Sequence, residues 1–163
     1  MTPRLLFVLS ILLVTLAPAA AHAQDGVQFV YFAPGNQMGR ASDSTIYAAG
    51  LGLERSLERH AAVQIDIAAL SYFAADTSRT VAGVASFDGV FHPLPGRRVQ
   101  PFVVGGYSLQ FRDTTVNMWN VGVGMRHWFS ETRALLLEYR QDRGNHHAPL
   151  HRYWTVRVGL AWR

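Results

Sequence analysis

The sequence predicts an all-β fold, an eight-stranded antiparallel up-and-down transmembrane β-barrel. Eight segments alternate between apolar and polar positions, and polar breaks of unequal length separate them. The polar face of these segments is crowded with glycine, alanine and serine. Each segment is close to the roughly 9–11 residues that a tilted strand needs to cross a bilayer.

The N-terminus has the pattern of a cleavable secretory signal peptide. One positive charge at Arg4 precedes an apolar stretch from Leu5 to Leu16, and small residues lead to Ala21-His22-Ala23. The apolar stretch is shorter than the roughly 20 residues of a membrane-spanning helix, which disfavours the alternative of a retained anchor. We therefore expect residues 1–23 to be removed and residues 24–163 to form one outer-membrane β-barrel domain.

Composition excludes several classes of protein. The chain has no cysteine, so an exported domain of this length must be stabilised by a core or by lipid instead of disulfides, and a lipid-modified N-terminal cysteine is excluded. Its 15 basic residues, all arginine, are scattered among 11 acidic ones. Because they do not cluster, they give no indication of nucleic-acid binding.

The breaks between the predicted strands are of two kinds. Short turns follow the second, fourth and sixth strands, and longer segments, at 34–44 and 142–150, follow the first and the seventh. Outer-membrane barrels keep short turns in the periplasm and longer loops outside, which would place both chain ends in the periplasm. The predicted strands are Val27–Ala33, Thr45–Arg55, Ala61–Phe73, Arg79–His92, Val99–Arg112, Thr115–Phe129, Arg133–Gln141 and His151–Arg163.

The last strand illustrates the two faces. Val156, Val158 and Leu160 share one face, and Arg157 and Gly159 belong to the other. A soluble barrel would alternate as well, with its apolar face inside. Small residues on the polar face suit a narrow interior, however, and large aromatics near strand ends resemble interfacial girdles, which favours the membrane barrel. The aromatics expected to face lipid are Tyr107, Phe111, Trp119, Phe129, Trp154 and Trp162.

If the polar face points inward, its charges must pair, because an unpaired buried charge costs several kcal/mol. Arginine suits such pairs because its planar fork binds a carboxylate bidentately. We expect a structural network here, the functional alternative being a polar pocket or a proton path. An eight-stranded interior is filled by side chains, so an open diffusion pore is not expected. The predicted network comprises Glu54, Asp66, Asp88, Arg126, Glu138, Arg140 and Arg157.

The histidine-rich segment His146-His147-Ala148-Pro149-Leu150-His151 is a candidate metal site, because imidazole is a common metal ligand. Its spacing fits no metal signature, and a solvated loop is the preferred interpretation. The sequence contains no nucleophile elbow, zinc-protease motif or phosphate-binding loop. We therefore predict no metal, no cofactor and no catalytic residue.

Four segments carry a resemblance to a family, namely Arg98–Tyr107, Asn120–Arg126, Ala134–Arg140 and Val156–Leu160. Together they resemble the small outer-membrane β-barrel family of Gram-negative bacteria. The resemblance implies a cell-envelope protein in the outer membrane, assembled by the barrel assembly machinery. The family includes structural anchors, adhesion barrels and a few lipid-modifying enzymes. Its members usually end in an aromatic residue, whereas here Arg163 follows Trp162.

One enzymatic branch of that family, the lipid A deacylase barrels, resembles this chain in its seventh strand. Those enzymes carry a His-x-Ser-Asn element just after the strand, which supplies a His/Ser pair for attack on an ester. The corresponding stretch here is Tyr139–Asn145, and it has neither the His nor the Ser. The resemblance therefore transfers no catalytic residue.

The sequence thus predicts a structural or interaction protein of the outer membrane that is not an enzyme. We expect its partners to be outer-membrane lipid, lipopolysaccharide and the assembly machinery, and we expect a monomer. The alternatives are a lipid-modifying enzyme of the outer membrane and a soluble periplasmic barrel that binds an apolar ligand. Arginines near the expected outer rim could pair with lipopolysaccharide phosphates, and these are Arg40, Arg79, Arg112 and Arg143.

Overall fold

The computed structural model describes residues 26–38, 44–73, 79–112, 114–144 and 152–163, and it is all-β over these ranges. No helix long and apolar enough to span a bilayer occurs within them. The predicted signal peptide and the histidine-rich segment lie outside the described residues. The strands are β1 Gly26–Gln37, β2 Thr45–Ser56, β3 Ala61–Phe73, β4 Arg79–Phe91, β5 Val99–Phe111, β6 Thr115–Trp128, β7 Arg133–Gly144 and β8 Arg152–Trp162.

These strands form a closed barrel in chain order, each pairing antiparallel with its sequence neighbours. β1 closes the ring against β8, with Gln28 opposite Trp162 and Gln37 opposite Tyr153. Closure leaves no strand at a free edge of the sheet, so each strand pairs with a neighbour on both sides. The predicted fold class, an eight-stranded antiparallel up-and-down barrel, is confirmed.

Two strands run several residues further than predicted. β1 continues to Gln37 through Pro34, and β7 continues to Gly144 through Asp142, so the prediction that loops begin at Pro34 and Asp142 is wrong. Pro34 stays in unbroken register with β2, opposite Tyr47, while the pairing with β8 is interrupted at Ala33 and Pro34. Proline has no backbone N–H to donate, so hydrogen bonding to β8 is lost at this point while the strand continues beside β2.

The barrel has two distinguishable ends. The turn end carries Gly26, Trp162 and the connections 57–60, 92–98 and 129–132. The loop end carries the other four connections. The turns are tight: the backbone N–H of Leu57 donates to Ala61 at 2.9 Å, and that of Phe129 donates to Arg133 at 3.1 Å. Gly96 has a φ of 74°, which a side chain would disfavour.

The core lies inside the barrel, where large side chains pack over glycines of neighbouring strands. The ring of Phe29 lies against Gly52, and the ring of Phe102 lies against Gly124. A Cβ atom at Gly124 would come within 2.5 Å of the Phe102 Cζ. These glycines therefore leave the space that the aromatic rings fill, as expected of a narrow barrel whose interior is packed.

Candidate functional site in the charged barrel interior

Strand alternation turns all seven residues of the predicted charge network into the barrel. None is more than 6% exposed, and Arg140 and Asp88 are fully buried. Their neighbours along each strand point outward, as Val158 and Leu137 do at 53% and 41% exposure. The period of two thus sorts charges to the inside and apolar side chains to the outside.

A first group of charges lies toward the turn end. Arg126 grips the Glu54 carboxylate with both terminal nitrogens, Nη1 donating at 2.9 Å and Nη2 making a shorter bond. His92, which directly follows β4, contributes its Nε2 at 3.0 Å from Glu54 Oε1. Arg126 also lies over the ring of Phe102, 5.1 Å from its centre. This bidentate geometry fixes the guanidinium in one orientation.

A second group surrounds Asp66 near the middle of β3. Arg157 donates from Nη1 at 3.2 Å and from Nη2 at 3.4 Å to its two carboxylate oxygens. Tyr31 donates its hydroxyl to the same carboxylate at 2.8 Å, and its ring lies 4.3 Å below the Arg157 guanidinium carbon. Asp66 is thereby held from two sides by β1 and β8.

Arg140 connects this second group to the far wall of the barrel. Its Nη1 donates to Asp88 at 2.8 Å and lies 3.6 Å from Asp66, and its Nε donates to Glu138 at 2.6 Å. Arg157 Nη1 is 3.9 Å from the same Glu138. Guanidinium groups therefore bridge carboxylates on β3, β4 and β7 across the lumen.

Neutral polar side chains extend the network through Asn120. Its amide nitrogen donates to Asp88 at 2.8 Å and to the Ser108 hydroxyl at 2.8 Å. Ser108 in turn lies 3.0 Å from the Ser86 hydroxyl. Hydrogen bonds of this kind satisfy the carboxylate oxygens that the arginines leave open.

The sequence analysis missed Asp142, which lies toward the loop end of the interior. It is 4% exposed and lines a cavity of about 20 Å³ with Tyr31, Tyr153 and Arg157. Asp142 continues the series of inward-facing residues that includes Glu138 and Arg140, so the alternation along the strand could have identified it. A loop assignment at this residue concealed it. Tyr31, His92 and Asn120 follow the same alternation and were also missed.

From Asp66 toward the loop end, carboxylates outnumber guanidinium groups in the interior. Within the described residues, Arg140 and Arg157 interact with four carboxylates, those of Asp66, Asp88, Glu138 and Asp142. Several buried donors nevertheless have no hydrogen-bond partner in the described part of the chain, including Arg140 Nη2 and Arg126 Nε. The network is therefore dense in charge while some of its donors stay unused.

In the described residues, the buried imidazole of His92 has no hydroxyl within hydrogen-bond distance. A nucleophilic mechanism needs a hydroxyl or thiol within hydrogen-bond reach of a base. In the described ranges, the hydrogen bonds of the His92 ring run to Glu54, and no serine, threonine or tyrosine hydroxyl joins them. The chemistry that these contacts support is ion pairing across a packed lumen.

The six predicted aromatics point away from the interior. Five of them are 37–49% exposed and Trp154 is half-buried. Tyr107 and Trp119 are cross-strand neighbours, and Trp154 stacks on Tyr139 with ring centres 6.1 Å apart. At the turn end, the indole of Trp162 donates to Gln28 at 2.9 Å. Aromatic side chains thus occur outside both ends of the barrel.

Of the predicted rim arginines, two have described side chains. Arg112 donates to the Tyr72 hydroxyl at 3.1 Å, and the guanidinium of Arg143 lies 5.4 Å from the ring centre of Trp119. Arg79 begins β4, but its side chain lies outside the described part, as does the whole of Arg40. Arg112 and Arg143 therefore lie at the loop end, where the sequence placed them.

No protein-family model and no curated protein matches the chain. Several solved structures match the chain in fold. The N-terminal β-barrel domain of Pseudomonas aeruginosa OprF aligns with a TM-score of 0.58 at 17% identity, over 85% of this chain and 97% of that one. Neisserial surface protein A aligns at 0.66 and 9%, over 84% and 96%. The outer membrane enzyme PagL aligns at 0.57 and 11%, over 82% and 98%. The chain thus has the fold of the small eight-stranded outer-membrane β-barrels.

Proposed function

We propose that this chain is a structural or interaction protein integral to the outer membrane, with an ion-paired interior and no open pore. The observation that carries the proposal is the sorting of side chains, because charges pair inside while apolar residues such as Phe32, Phe87 and Val123 are more than half exposed outside. Exposed apolar area on this scale is stable only against lipid or a partner.

The partners of the proposed function follow from its two surfaces. The exposed apolar side chains outside the barrel would contact outer-membrane lipid, and arginines such as Arg112 and Arg143 would meet lipopolysaccharide phosphates at the loop end. Export through the signal peptide and insertion by the barrel assembly machinery belong to the same proposal, as does a monomeric state. The loops would form the surface available to other molecules.

Fractionation combined with gel mobility tests the membrane location. We expect the protein in the outer-membrane fraction, with a mobility in sodium dodecyl sulfate that changes when the sample is heated. Recovery in the soluble periplasmic fraction, without any need for detergent, would favour a soluble barrel that binds an apolar ligand and would contradict the proposal.

The rival function is an enzymatic one, because the outer membrane enzyme PagL has the same fold, and lipid modification is the enzymatic alternative that the sequence left open. A likeness of this kind concerns architecture, and in the described residues the His92 ring has no hydroxyl nucleophile within hydrogen-bond distance. We expect lipid A extracted from cells with and without the protein to carry the same acyl chains in mass spectra. Loss or gain of an acyl chain would replace the structural proposal with an enzymatic one.

A further inference from the structure

Among the described side chains, exposed arginines are concentrated around the turn end of the barrel. Two exposed acids, Glu58 and Glu131, are their counterparts in the described residues of this end. Such an excess of positive charge creates a local potential that attracts anions. We call these arginines the basic rim, and they are Arg55, Arg59, Arg97, Arg98, Arg133 and Arg163.

Half of the basic rim borders one cavity, which we call the turn-end pocket. It has a volume of about 340 Å³, and Arg97, Arg98 and Arg163 line it together with Glu131. That volume falls within the range of small-ligand sites, roughly 300–1,000 Å³. Among the side chains of the pocket, three guanidinium groups face one carboxylate, so it suits an anion.

Part of the pocket wall is fixed in place by contacts within the barrel. Trp128 is buried, and its indole nitrogen donates to Gln100 at 3.2 Å. The Arg163 guanidinium lies 4.4 Å from the centre of the Trp128 ring, and its Nε donates to the Glu131 carbonyl at 2.8 Å. One arginine is therefore oriented before any ligand arrives, which lowers the entropy cost of binding.

A hydroxyl donor completes the polar lining. Ser130 Oγ accepts the backbone N–H groups of Thr132 at 3.3 Å and Arg133 at 3.0 Å. Its own proton is then left to donate outward. Guanidinium forks and a hydroxyl match the oxygens of a phosphate, which guanidinium binds bidentately.

Apolar side chains border the same pocket, which indicates an amphiphilic ligand. Phe129 lines the pocket and is 48% exposed, and Leu94, in the neighbouring turn, is 51% exposed. In the proposed membrane location these side chains, which lie in the turns, would be at the membrane interface beside the arginines. A free phosphate would not contact the apolar side chains, whereas a phospholipid would contact both these side chains and the arginines.

We propose that the turn-end pocket binds the headgroup phosphate of a glycerophospholipid with a net negative charge, in the leaflet that surrounds the turn end. Arg97, Arg98 and Arg163 would contact the phosphate, and Phe129 would contact the first part of an acyl chain. The proposal rests on the proposed membrane location and adds a specific lipid contact to it.

Native mass spectrometry of the purified protein in a non-ionic detergent tests this. The probes are dihexanoyl phosphatidylglycerol, dihexanoyl phosphatidylcholine and inorganic phosphate. We expect one phosphatidylglycerol to bind about tenfold more tightly than phosphatidylcholine, because both lipids carry the phosphate but the choline cation is repelled by the arginines of the pocket. Equal affinity for the two lipids would overturn the proposal, and so would inorganic phosphate binding as tightly as the anionic lipid, since that defines a free-anion site.

A pair of double variants with equal charge change locates the site. Arg97→Gln/Arg98→Gln should weaken phosphatidylglycerol binding about tenfold, while Arg55→Gln/Arg59→Gln, on the rim but outside the pocket, should leave it within about twofold. Equal losses would show diffuse attraction to the rim and overturn the pocket.

Heat-dependent gel mobility verifies that each variant folds. If Arg97→Gln/Arg98→Gln does not fold, the lipid preference of the unaltered protein still decides the matter. Failure of the lipid titration for a protein recovered in the outer membrane sinks this inference alone. Recovery of a soluble protein sinks the proposed function instead.

Discussion

At the scale of single residues, Arg126 and Glu54 form an ion pair that can be taken apart in steps. Arg126→Leu should lower the free energy of unfolding by about 3–5 kcal/mol, because Glu54 would remain buried without its guanidinium partner. The double variant Glu54→Leu/Arg126→Leu should lose less than this single variant, since both charges are then gone. Urea unfolding in detergent micelles measures each step. A double variant that loses more than Arg126→Leu would contradict the pairing.

The glycines give a second residue-scale prediction with a matched control. Gly124→Val places a side chain against Phe102 and the Leu137 backbone and should cost about 1–3 kcal/mol in unfolding free energy. Gly105→Val points outward, where the nearest atom to a Cβ is 3.6 Å away, and should be neutral or stabilising. Thermal unfolding followed by circular dichroism compares them. Equal destabilisation would mean that the interior is not packed as described.

Sequence alternation placed each of the seven network residues on its face, but it could not assign partners. That Arg140 bridges Asp88 and Glu138 depends on the register of β4, β7 and their neighbours around the ring. Register is a property of whole strand pairs, so no local pattern reveals it. His92 stayed out of the prediction because neutral histidine gave no reason to seek an ion pair.

At the scale of the strand, β8 offers adjacent positions with opposite faces. Arg157→Leu should destabilise the barrel in detergent and in vesicles alike, because Asp66 loses its two bonds from Arg157 in either medium. Val158→Arg should act more strongly in vesicles, at about 2–4 kcal/mol, because the acyl chains of a bilayer adapt less to an outward charge than a detergent micelle does. Unfolding titrations in both media test this. Identical behaviour of the two variants would contradict the assignment of faces.

Strand bounds were predicted well where turns are short and poorly where composition imitates a loop. Pro34-Gly35 and Asp142-Arg143-Gly144 combine residues that usually end strands. In the barrel both stretches continue pairing, because β2 and β6 remain alongside them and supply partners. A nearby strand therefore outweighs local propensity, which the sequence alone does not reveal.

At the scale of the whole molecule, a lumen crossed by ion pairs predicts electrical silence. In planar bilayers we expect no steady single-channel conductance from the purified protein, because Arg126, Arg140, Arg157 and their carboxylates block the path between the two ends. Recordings across a range of voltages check this, with an empty-detergent control. A stable open level in the unaltered protein would contradict the filled interior.

The ring closes where the first strand meets the last, and Pro34 divides that junction. Five residue pairs lie on one side of the gap, from Gln28 to Phe32, and three lie on the other, from Gly35 to Gln37. The pairing of β1 with β8 thus consists of two short ladders, which can form one after the other during assembly. Amide protons beside the gap, on β8 near Val156, should exchange with heavy water sooner than those in the paired stretches on either side of it.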